Sequence, residues 1–207
     1  MSTTLPGRTS KFLSWLAPTI TIACLFVAMI AAMLWQGRVW FSTTGVVKIW
    51  HTDVWSAECS QQFTDPYSVT HMSHGLIFAG LFWWIAKFAG RFGITWPAQR
   101  RWQLAGSVAI AAGWEVLENS AFVIDRYRTV TMSLDYLGDS IFNAVGDVVC
   151  CMAGYLIARR LGLWLTLALF VATEVLLLVL IRDNLTLNVI MLVHPIEAIR
   201  QWQSVGH

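Results

Sequence analysis

Five apolar runs dominate this chain, at roughly 16–36, 70–88, 103–122, 138–158 and 163–181. Each approaches the roughly 20 residues needed to cross about 30 Å of hydrocarbon. Backbone groups in hydrocarbon must find their hydrogen-bond partners within the protein, so lipid-facing runs of this kind fold as helices. The expected class is all-α: a polytopic transmembrane helix bundle of about five spans, forming one integral-membrane domain over residues 1–207. Charged residues make up only 13% of the 207, where a soluble domain carries about a quarter.

The segments between the runs complete this picture. An outer loop covers 37–69, and a C-terminal segment covers 185–207. The apolar stretch Leu185 to Val193 is too short to span and breaks at His194-Pro195, which predicts an interfacial or re-entrant helix. Trp15, Trp35, Trp96, Trp102 and Trp164 sit near the ends of runs, where amphipathic rings prefer the headgroup level. The first run is longer than the apolar core of a signal peptide and reads as a retained helix. Cys24, Cys150 and Cys151 lie within apolar runs and Cys59 stands alone in the outer loop, so no disulfide framework is expected. A net charge of +2 without a dense basic cluster argues against a nucleic-acid partner and leaves the lipid bilayer as the expected one.

Basic residues in short flanks set orientation. Arg8 and Lys11, then Lys87, Arg91, Arg100 and Arg101, then Arg159 and Arg160 mark three cytoplasmic regions. The expectation is a multi-pass inner-membrane protein with a cytoplasmic N-terminus and a periplasmic C-terminus.

That topology sorts the remaining polar residues. His71 and His74 open the second span, Glu115, Glu118 and Asn119 close the third, Asp135, Asp139 and Asn143 open the fourth, and Arg182, Asp183 and Asn184 close the fifth. All fall at the outer face. Asp139, Asn143 and Asp147 recur at steps of four, which predicts a stripe down one helix face. Asp147 and Glu174 should lie about 12 Å below the helix ends. A carboxylate at that depth costs several kcal/mol unless it is neutral, paired or hydrated. The expected solution is one wet pocket between helices, opening away from the cytosol. Ala105, Ala109 and Gly113, with Gly138, Gly146 and Gly154 at steps of eight, offer small-residue ridges for close helix packing.

Each group also has a plainer reading. His71 and His74 can simply line a helix entrance; the sharper reading makes them i, i+3 metal ligands. Glu115 and Glu118 can pair with Arg126 or Arg128 as structural glue. Arg182-Asp183-Asn184 can be a helix stop followed by a cap, and Tyr127 and Tyr136 read as interfacial anchors.

The strings "KIWHTDVWSAECSQQFTD", "THMSHG", "WEVLENSAFVIDRYR", "LDYLGDSIFNAVGD" and "RDNLTLNVIMLVHPIEAIRQWQ" resemble an alphaproteobacterial integral-membrane family of unknown function. The resemblance implies an inner-membrane protein and supplies no reaction. A weaker likeness, in the order Glu115 or Glu118, Arg126 or Arg128, Asp139, Asn143 and Gly146, points to the VanZ-like family associated with glycopeptide resistance. The chain departs from it in carrying Glu118-Asn119 where an amide is expected.

Two classes of function follow. The first is an envelope enzyme that hydrolyses or transfers groups on a lipid or lipid-linked substrate. Carboxylates held together at low dielectric can keep a proton near neutral pH, as general acid–base chemistry requires. Glu115, Glu118, Asp139 and Asn143 are its candidate catalytic residues. Arg126, Arg128, Arg182, Asp183 and Asn184 are candidates for substrate binding, and His71 and His74 for a divalent metal. The second class is non-enzymatic: an assembly or structural subunit, or a small-ligand or proton-coupled transporter relying on Asp147 and Glu174.

Overall fold

The computed structural model describes residues 8–95, 100–131 and 136–205, with side chains from residue 16 onward. Asp135 and Trp96 lie outside the described residues. Among the described residues there are eight helices: α1 (Arg8–Trp35), α2 (Pro66–Gly90), α3 (Arg100–Glu118), α4 (Ala121–Val130), α5 (Ile141–Leu161), α6 (Leu163–Ile181), α7 (Leu185–Val193) and α8 (Glu197–Ser204). No strand occurs among the described residues; one isolated bridge joins Trp50 and Thr64. Helices α1, α2, α5 and α6 are long and apolar enough to cross a membrane, and α3 with α4 makes a fifth if that pair is one span, bent by 71°. Several apolar helices thus make this a multi-pass membrane protein.

The helix starts are set by local chemistry. Asp65 caps α2 by accepting from the amides of Tyr67 and Ser68, while Ser68 Oγ accepts from the Asp65 amide and Pro66 takes the first helical position. The helix therefore begins four residues before the expected 70, and His71 lies inside it. Ser140 caps α5 through the Asn143 amide. The Ile141 and Phe142 amides, which no helical carbonyl can serve, donate to Val39 O at 2.8 Å and Trp40 O at 3.1 Å of the loop after α1.

Packing centres on α5. Met29 and Met33 of α1, Val108, Ala111 and Ala112 of α3, and Ile141, Ala144, Val148 and Cys151 of α5 form one apolar cluster. Leu76 and Ala79 of α2 meet Tyr155 and Ala158 of α5 in another. The α2–α5 seam is tighter than side chains would allow. A Cβ on Gly75 would lie 2.0 Å from the Cys151 carbonyl oxygen, and one on Gly154 would lie 2.0 Å from that of Met72. Of the ridges expected from sequence, Gly154 thus serves the seam, and Gly146 admits the Phe63 carbonyl. Ala109 and Gly113 do not serve packing within this chain: both are exposed, and α3 meets α1 through Val108, Ala111 and Ala112 instead.

The chain reverses after α6 through Arg182, whose φ of 53° is left-handed. Asn184 caps α7 through the Leu187 amide. Glu174, two turns before the end of α6, accepts from the Leu185 amide, the Thr186 amide and Thr186 Oγ1 at 3.2, 2.9 and 2.6 Å. A carboxylate at a helix N-terminus is stabilised by the amides and the helix dipole. Glu174 therefore holds α7 back against α6, an architectural role.

Candidate functional site

Three helices contribute the centre of the site. His71 comes from the second turn of α2, Glu115 from the last turn of α3, and Asp147 from the second turn of α5. His71 Nδ1 lies 3.1 Å from Glu115 Oε1, and His71 Nε2 lies 3.8 Å from Asp147 Oδ2. The first pair is close but out of line, so both atoms count among buried polar atoms without a hydrogen bond, together with Glu115 Oε2 and Asp147 Oδ1. Relative exposure is 6% for His71, 0% for Glu115 and 3% for Asp147. One ligand atom from each can be chosen so that all three lie within 4.8 Å of one another.

His74 stands apart from this group. Its ring meets His71 edge-on at 5.3 Å and stacks on Phe78 at 6.0 Å. Of the expected His71–His74 pair, the structure groups His71 with Glu115 and Asp147, while the His74 ring lies on an aromatic neighbour.

Glu115 also belongs to a second group with Glu118 and Asp139, again within 4.8 Å. Both oxygens of Asp139 are engaged: Oδ2 accepts from Asn119 Nδ2 at 2.7 Å and Oδ1 from the Tyr136 hydroxyl at 2.8 Å. Asn119 Oδ1 in turn accepts from the Asp139 amide at 2.6 Å. Burial pushes the Asp139 carboxyl above its ordinary value, while the Tyr136 and Asn119 hydrogen bonds pull it back. Burial, then the Asp139 charge, pushes the Tyr136 phenol well above its own. Glu118 Oε1 accepts from the Tyr127 hydroxyl at 2.9 Å, and Glu118 Oε2 is buried without a partner.

The predicted stripe of acids is therefore only half helical. Asn143 and Asp147 share a buried face of α5, but Asp139 precedes the helix and is oriented by the α3–α4 break. The cluster is also largely shielded from solvent rather than openly wet. Asp139 is 6% exposed, and the loop between α1 and α2 closes over the site, with Gln62 fully buried. Asn143 Nδ2 donates to Gln62 O at 2.7 Å and Gln61 Nε2 to Gly138 O at 2.9 Å. Within this cover, burial and the nearby Asp65 push the Cys59 thiol far above its ordinary value.

The arginines do other work. Arg126 Nε donates to Leu192 O at 3.0 Å and Arg128 Nε to Tyr136 O at 2.6 Å. Among the described residues neither pairs with Glu115 or Glu118; Arg128 faces Asp125 at 3.9 Å. Arg182 donates to the Trp202 and Val205 carbonyls. Asp183 accepts from the Asn184 amide and the Tyr67 hydroxyl. Arg182, Asp183 and Asn184 thus build the turn into α7 rather than line the acid cluster, which is the helix-stop reading.

Sequence reasoning missed Tyr127 and Tyr136, which it placed at the lipid interface and which instead donate to Glu118 and Asp139. It also passed over Asp65 and Gln62. Asp65 carried a legible signal, the Asp-Pro-x-Ser capping pattern; Gln62 carried none.

Comparison with known proteins places these residues in a wider group. A family model described as "Protein of unknown function (DUF2585)" matches residues 33–205. The chain is 45% identical over 187 residues to a UPF0314 protein of Sphingopyxis alaskensis, covering 89% of this chain and 94% of that protein. It is 42% identical over 184 residues to a UPF0314 protein of Paracoccus denitrificans, covering 88% and 91%. It is 42% identical over 190 residues to one of Brucella anthropi, covering 92% of each. No solved structure matches.

Proposed function

We propose, for a chain that belongs to the DUF2585 family of unknown function, that it is a multi-pass inner-membrane enzyme acting on an envelope lipid or lipid-linked substrate. The reaction class is hydrolysis or group transfer at an ester or phosphoester, with the site toward the periplasmic face and the N-terminus in the cytosol. The observation that carries this reading is the convergence of Glu115, Glu118, Asp139 and Asp147 with His71, leaving Glu118 Oε2 buried and without a partner.

The residues divide the work. Glu118 takes a proton from water; the hydroxide attacks the ester carbon or phosphorus, and Glu118 returns the proton to the leaving oxygen. Asp139, with both oxygens accepting, is a positioning residue that orients Tyr136 and Asn119. Asn143 ties the start of α5 to the covering loop. The VanZ-like likeness concerns residue order alone and adds no step to this scheme.

A non-enzymatic reading draws on the same packing: the cluster joins α2, α3 and α5, as a structural lock or a proton-carrying site at Asp147 would. The test is lipid analysis of a deletion strain complemented with the wild type, Glu118→Gln or Asp139→Asn, with membrane abundance measured alongside. The enzyme reading expects an altered envelope lipid that the wild type restores and Glu118→Gln, at equal abundance, does not. Full restoration by Glu118→Gln would refute it, and loss of protein in both variants would favour the structural lock.

A further inference from the structure

We propose that His71, Glu115 and Asp147 form a binding site for one divalent cation of the zinc–manganese class. The two acid groups that share Glu115 are not equivalent. Around Asp139 and Glu118, protein donors serve three of four carboxylate oxygens: Asn119, Tyr136 and Tyr127 each supply one hydrogen bond. Around His71 the donors are fewer: among the described residues Ser68 supplies a side-chain hydrogen bond to Asp147, and Glu115 has none. Both Glu115 oxygens, Asp147 Oδ1 and His71 Nδ1 are buried without a hydrogen bond. Two carboxylates at low dielectric repel, and among the described residues no lysine or arginine lies within ion-pairing distance of either.

A divalent ion would cancel that charge beside the unpartnered Glu115 oxygens and Asp147 Oδ1, and the ligand chemistry fits. One imidazole with two carboxylates suits zinc or manganese-class ions. Bonds of about 2.0–2.2 Å in a tetrahedral site put ligand atoms roughly 3.3 Å apart. The 3.1 and 3.8 Å approaches use opposite ring nitrogens, so one of them is an edge of the site and the other orients the ring, while one donor atom from each residue lies within 4.8 Å of the other two. The second imidazole nitrogen, already facing a carboxylate, fixes the ring. The ion would lie beside Glu118 through the shared Glu115, where it would polarise the substrate oxygen. This deepens the enzyme reading for its catalytic use, but metal binding is measured apart from turnover.

The experiment uses full-length protein in nanodiscs with any affinity tag removed. It is stripped with a chelator and titrated with Zn²⁺, Mn²⁺ and Co²⁺, with elemental analysis and the Co²⁺ absorption spectrum as readouts. The wild type should bind about one equivalent, and His71→Ala and Asp147→Asn should lose at least about tenfold in affinity. Because either variant can misfold, thermal unfolding is followed with and without Zn²⁺. The ion should raise the wild-type midpoint and leave both variants unmoved, while Glu174→Gln, outside the cluster, should respond as the wild type does. Wild-type protein that takes up none of the three ions, or variants that retain its stoichiometry and affinity, would overturn the proposal. A metal-binding protein whose Glu118→Gln variant restores the lipid profile would leave this site standing and refute the enzyme reading.

Discussion

Gly75→Ala should open the site by wedging α2 from α5. The added methyl would lie 2.0 Å from the Cys151 carbonyl oxygen, and 2.6 Å from the Tyr155 amide nitrogen. Ordinary contact begins near 3.4 Å, so the seam is about 1.4 Å too tight for it. The obstacle is helix backbone, which cannot swing aside as a side chain does. Gly75 lies one turn beyond His71, and Cys151 one turn beyond Asp147, so the wedge acts directly beneath the 3.8 Å His71–Asp147 approach. Overpacking of this kind costs about 1–3 kcal/mol, against a helix-propensity gain of roughly 0.5–1 kcal/mol. Gly80→Ala isolates the wedge. It lies on the same helix, gains the same propensity, and its Cβ meets nothing within 4 Å. Thermal unfolding in detergent, followed by tryptophan fluorescence, should place Gly75→Ala below the wild type and Gly80→Ala at or above it. The gap between the two variants should be about 1–3 kcal/mol. Equal stability of the two would refute the account of the seam.

Two further outcomes follow from the C-terminal hairpin. Glu174→Ala removes the acceptor of two α7 amides and one hydroxyl, and should weaken the docking of α7 by about 2–3 kcal/mol; hydrogen exchange at Leu185 to Leu187 should rise, and unchanged protection would refute the capping role. Burial lifts the Asp183 carboxyl from 3.8 to about 6, which favours the folded state only while the group is protonated. Its contribution is therefore complete below the unfolded value and lost as pH rises through about 6, so Asp183→Asn should flatten the fall in unfolding midpoint across that window.

Much of the helix plan was legible because the bilayer imposes length and apolarity together. The span at 163–181 coincides with α6, and that at 16–36 with the apolar part of α1, which begins earlier, at Arg8. The third did not keep to one helix: Asn119 and Ser120 break it after Glu118, since Ser120 caps a new helix through the Val123 amide. Sequence spacing also suggested that Asp139 continued the α5 face, because steps of four look the same on either side of a cap; Ser140 ends that continuity. Ionisable groups on three separate helices, His71, Glu115 and Asp147, were read as neighbours from topology alone. Hydrogen-bond partners were not: a tyrosine hydroxyl reaches Glu118 from nine residues away, and no periodicity marks such a contact. Local polarity likewise could not separate Glu174, held by a returning helix, from Asp147, which has an unpartnered oxygen.

The carbonyls of Val39 and Trp40 have one more consequence. They complete the first turn of the helix bearing Asn143 and Asp147, so raising that loop would leave the Ile141 and Phe142 amides bare. How often the acids meet solvent and how often that turn frays are consequently a single equilibrium. Deuterium uptake at those two amides is a direct clock for it.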